Sequence, residues 1–79
     1  MKQINVYERV VDSLPEGKKF PVSVDRDLRN VSEALLRADT INDIEDIMEN
    51  NRLLRNRIKT HAGVSAAELF DKCVEELKK

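Results

Sequence analysis

The chain has 79 residues, enough for one small domain and no second. Fourteen Lys and Arg balance fifteen Asp and Glu, a net charge of −1, so the basic excess expected of a nucleic-acid binder is missing. With 41% hydrophobic residues it is too apolar for a disordered chain, and with 4% aromatics it offers little for base stacking.

A single cysteine, Cys73, excludes an internal disulfide and points to a reducing compartment. The first residues contain no apolar signal segment, and no apolar run approaches the ~18–20 residues that span a bilayer. A soluble, cytoplasmic protein without membrane insertion is expected. His61 is the only histidine and lies far from any Cys/His ligand spacing, so no metal is expected. No nucleophile elbow or glycine-rich phosphate loop is present, and no pair of carboxylates stands out for acid–base work. These absences predict a non-enzyme with no cofactor.

The first helix is read from Val6, Tyr7, Val10, Val11 and Leu14, with Asn5 and Glu8 as a capping box and Pro15-Glu16-Gly17 as the stop. In Lys19–Val24, Phe20, Val22 and Val24 alternate with Lys19, Pro21 and Ser23, which predicts a short extended segment; Pro21 would keep it at an edge. A second helix is expected from about Asp25 to Ala38, with Val24, Leu28, Val31, Leu35 and Ala38 as its stripe. Asp25 or Asp27 would cap it, or Asn30 with Glu33 from a later start. Thr40 and Asp43 read as the cap and third position of the next helix.

That third helix is expected to be the longest, about Ile41 to His61, roughly 30 Å at 1.5 Å per residue. Ile44, Ile47, Asn51, Leu54 and Ile58 fall at alternating heptad a and d positions, with Asn51 central. Ile41, Met48 and Leu53 widen the apolar surface. His61 lies in the last turn, where a cation is favoured, and reads as a cap or surface residue. The fourth helix opens on Ser65 and Glu68 as a capping box and on Val64 and Leu69 as a hydrophobic staple. Leu69, Phe70, Cys73, Val74 and Leu77 form its buried face, and Glu68–Lys72 and Glu75–Lys79 are favourable pairs. The expected fold is a mainly α, four-helix domain with a long third helix and one short extended segment.

Charge is segregated along the third helix. Asp39, Asp43, Glu45, Asp46 and Glu49 precede Arg52, Arg55, Arg57 and Lys59. One explanation is dipole matching. Another is antiparallel pairing with a second copy about Asn51, which sets Ile44 against Ile58, Asp43 against Lys59 and Glu45 against Arg57. The predicted function is that of a small regulator or inhibitor that binds another protein and self-associates as a homodimer. Such proteins are frequent in phage and plasmid genomes. Its binding surface would be the seam Ile44, Ile47, Asn51, Leu54 and Ile58, with Arg52, Arg55 and Arg57 supplying complementary charge.

The run Ala62-Gly63-Val64-Ser65 resembles the helix-turn-helix turn of the LacI family of repressors, and Ile58 and Leu69 fall where that motif takes apolar residues. The resemblance covers residues 57–74 and implies nucleic acid as the second class of partner. Lys59 departs from it, standing where the family prefers a small buried alanine. So do Ala66 and Ala67, which carry nothing to read base edges, and Glu68, Asp71, Glu75 and Glu76, which repel phosphate.

Overall fold

The computed structural model describes residues 3–79, and it is mainly helical. Five helices follow one another: α1 (Val6–Asp12), α2 (Val22–Arg37), α3 (Ile41–Asn50), α4 (Leu54–Ala62) and α5 (Val64–Leu77). No strand is present among the described residues. The Cα radius of gyration is 11.7 Å, close to the ~11.6 Å of a compact chain of this length.

Helix α1 begins as its cap predicts: Asn5 Oδ1 accepts the Glu8 backbone N–H at 3.0 Å. The segment before α2 is not an extended strand. Pro21 is the N-cap of α2 (φ −53°, ψ 152°) and its carbonyl accepts the Asp25 N–H at 2.9 Å. Phe20 and Val24 are buried, whereas Val22 is 84% exposed, so the apolar residues follow helical spacing and not alternation. The start at Val22 leaves Asp25 and Asp27 inside the helix, free to pair with other elements. The stripe Val24, Leu28, Val31 and Leu35 is buried as its periodicity requires.

Thr40 and Asp43 form a complete capping box at α3. The long third helix does not exist as one element. It breaks at residues 51–53, and α4 resumes at Leu54. Asn51 is the residue that leaves helical geometry (φ −123°, ψ 28°), and its Nδ2 donates to the Ile47 carbonyl at 2.8 Å. Asn50 and Asn51 are both poor helix formers, and an asparagine amide competes with the main chain for such carbonyls. The bend lets α4 fold onto α2 and α5.

Helices α4 and α5 are joined by Gly63 alone, with φ 93° and ψ 174°, a conformation that only glycine adopts freely. Helix α5 therefore starts at Val64, one residue before the expected cap. Ser65 makes no capping bond, and Val64 is exposed, so neither the box with Glu68 nor the staple with Leu69 forms. The terminal bases pair one step closer than expected, Lys78 with Glu75 and Lys79 with Glu76. The core draws on every helix: Val6 and Val10, Leu28 and Leu35, Ile44, Leu54 and Ile58, then Phe70, Val74 and Leu77.

Candidate protein-binding surface

The predicted seam is distributed through the fold and not displayed on it. Ile44, Leu54 and Ile58 are buried in the chain's own core, and Ile47 and Asn51 are half-buried. The a/d spacing arises because α3 and α4 each turn an apolar stripe toward one shared interior. A partner meeting the closed protein does not reach Ile44, Leu54 or Ile58.

The three arginines assigned to partner recognition have neighbours within the chain. Arg57 Nη1 donates to Asp27 Oδ2, and its Nη2 donates to Ser23 Oγ at 3.1 Å, which ties α4 to α2. Arg55 Nε donates to Asp71 Oδ2 at 2.7 Å, which ties α4 to α5. The Arg57 guanidinium beside Asp27 holds that carboxyl below the usual aspartate range. Arg52 makes only a 3.5 Å contact with Glu49, and both side chains are largely exposed. It is therefore the one of the three with charge open to a partner, since such surface pairs contribute at most about 1 kcal/mol.

The feature the elbow does display is Leu53, 66% exposed between Arg52 and Leu54. Beside it lies an open cleft of about 330 Å³, lined by Asp27, residues 50–54 and Arg57. Reading the helix as continuous sets Leu53 on a widened apolar face, takes Asp27 as a helix cap and gives Asn50 no role. The adjacent pair Asn50-Asn51 was the local signal for an elbow. A second shallow cleft, about 360 Å³, lies where Ile47, Asp43 and Asp46 meet Ala34, Arg37 and Ala38.

A third polar group joins α1 to α2. Tyr7 Oη donates to Asp25 Oδ1 at 2.6 Å, and Arg29 Nη2 donates to Tyr7 Oη at 2.8 Å and to Asp25 Oδ2 at 3.3 Å. The Arg29 guanidinium also stacks 4.5 Å from the Tyr7 ring centroid. The Asp25 carboxylate, through this hydrogen bond, raises the Tyr7 pKa above the ordinary tyrosine value. Because the folded form holds the phenolic proton more tightly, this contribution to stability is full below the ordinary value and fades as pH rises through the raised one. Tyr7 is the only tyrosine, so an ultraviolet titration reads it alone. The midpoint is expected above that of a free tyrosine, and Asp25→Asn should bring it back down. A wild-type midpoint at the free value would contradict the hydrogen bond.

No group of three or more His, Cys, Asp or Glu among the described residues is arranged to hold a metal. Cys73 is buried on α5, and burial pushes its thiol pKa up. His61 is exposed in the last turn of α4. At the turn that resembles a helix-turn-helix, Val64 and Ser65 are exposed while Ala66 and Ala67 are buried, so the two alanines face the core. Its outward positions include Glu68, Lys72 and Glu75. No helix among the described residues is long and apolar enough to cross a membrane. No protein-family model, curated protein or solved structure matches the chain.

Proposed function

We propose that this is a small non-catalytic module, a regulator or inhibitor, that binds another protein at the elbow between α3 and α4 and also self-associates. The observation that carries the reading is Leu53, a large apolar side chain held two-thirds exposed on a three-residue turn, above a polar cleft and beside a loosely paired Arg52. An apolar anchor next to a guanidinium suits a partner segment that presents an apolar residue flanked by carboxylates.

The nucleic-acid alternative draws less support, because buried alanines occupy the first turn of α5 and acids dominate its outer face.

Affinity capture from the native host, with wild type and variants as bait, tests the proposal. A bound acidic protein should be retained by wild type and by the control Val64→Asp, and lost with Leu53→Asp or Arg52→Glu. Its measured affinity should fall at least about tenfold for Leu53→Asp. Leu53 is exposed, so stability should move by no more than about 0.5 kcal/mol. Equal retention by all four baits would remove the elbow as the binding surface. Tight binding to duplex DNA, weakening steeply with salt, would favour the alternative.

A further inference from the structure

We infer that the elbow is a hinge through which two copies of this chain exchange halves, joining α3 and α4 into one helix. The inference rests on the self-association proposed above and gives it a geometry.

The elbow is nearly helical already. Leu53 has helical angles (φ −80°, ψ −14°), and the Leu54 N–H is bonded to the Asn51 carbonyl at 2.9 Å. Asn51 is the break, with its amide on the Ile47 carbonyl. The apolar spacing Ile44, Ile47, Leu54, Ile58 runs through the break unaltered. Opening there strips the cover from both halves, and a second copy carries the same cover.

The packing falls into contacts within each side of this point and contacts that bridge it. Helices α1, α2 and α3 pack among themselves, as do α4 and α5. The packing that bridges the break is α1 on α5 and α2 on α4, the latter fastened by Arg57 to Asp27 and Ser23. Each bridging contact joins a residue before the elbow to one after it. Exchange therefore regenerates every one of them between copies, which is what makes such dimers low in cost.

Joining α3 to α4 restores helical hydrogen bonds at two elbows per dimer. A two-fold axis across the joined helices sets them antiparallel. That is the arrangement in which the acidic half of one helix meets the basic half of the other.

Two variants that fail alone should succeed together. Asp27→Arg sets a new guanidinium against Arg57, and Arg57→Asp sets a new carboxylate against Asp27. In an exchanged heterodimer, one interface pairs the two new side chains and the other pairs Asp27 with Arg57. Refolded together from denaturant, with one chain mass-tagged, the heterodimer should exceed either homodimer at least tenfold by native mass spectrometry. A statistical mixture would overturn the exchange and leave side-by-side self-association standing.

Asn51→Ala removes the amide bond and favours helix at both hinges, so the dimer dissociation constant should tighten about tenfold. Two glycines inserted after Arg52 should give a folded monomer. Should wild type and Asn51→Ala both sediment as monomers at the highest attainable concentration, the exchange and the self-association it rests on would fail together, leaving the elbow's binding of another protein to its own test.

Discussion

Replacing Phe70 by alanine is expected to destabilise the protein by about 3–5 kcal/mol, a large share of the ~5–15 kcal/mol that holds a typical domain folded. Phe70 is fully buried and stands mid-way along α5, the helix that packs on both α1 and α4. Truncation removes its apolar burial and leaves a void that the close-packed core only partly fills. The loss falls on a domain with little reserve, since a chain of this size buries only about 60% of its unfolded surface. Urea unfolding followed by far-ultraviolet circular dichroism measures it. Lys72→Ala, exposed on the same helix, should change stability by no more than about 0.5 kcal/mol. A Phe70→Ala protein within 1 kcal/mol of wild type would show that α5 is not packed as described.

Ser32→Ala should cost about 1–3 kcal/mol, more than its single hydroxyl suggests. Ser32 is the one buried polar side chain among the described residues, 2% exposed in the middle of α2. Its Oγ accepts the Tyr7 N–H at 3.1 Å and donates to Asn5 Oδ1 at 3.2 Å. Asn5 in turn accepts the Glu8 N–H. The two side chains share the first-turn donors of α1, so half of this helix cap is supplied by another helix. Removing Ser32 leaves the Tyr7 N–H without its acceptor and Asn5 without its donor. Asn5→Ala alone is expected to cost about 1 kcal/mol. Because the two lie in one network, the double variant should lose less than the sum, and a double-mutant cycle from urea curves measures the difference. Additive losses would mean that Ser32 does not hold Asn5.

Ser32 also shows why part of the fold was hidden in the sequence. A serine within an apolar stripe reads as a neutral helix residue, and its partners are 25 and 27 positions away. The same holds for Asp25 and Asp27, which read as caps because aspartate near a helix start usually caps. Pro21 starts α2 earlier, and the two carboxylates serve Tyr7 and Arg57 instead. The proposed binding surface was legible in its charges, and Leu53 read as part of a widened apolar face but not as a residue left exposed at a turn. Leu53 is exposed because the chain turns there, and the turn is invisible to periodicity when both arms bury their stripes in one core.

The sequence by itself determined the helical class, the apolar faces of α1, α2 and α5, the caps at Asn5 and Thr40, and the stop at Gly63. Each depends on interactions within about four residues, such as a cap bond, a helical stripe or a glycine torsion, and these act wherever the chain ends up. Tertiary structure decided the partners of Ser32, Asp25 and Asp27 and the assignment of Ile44, Leu54 and Ile58 to an interior and not an interface. A repeating apolar pattern states that a surface must be covered. Whether the cover is the rest of the same chain or a second molecule is settled by closure of the core, a property of all five helices at once.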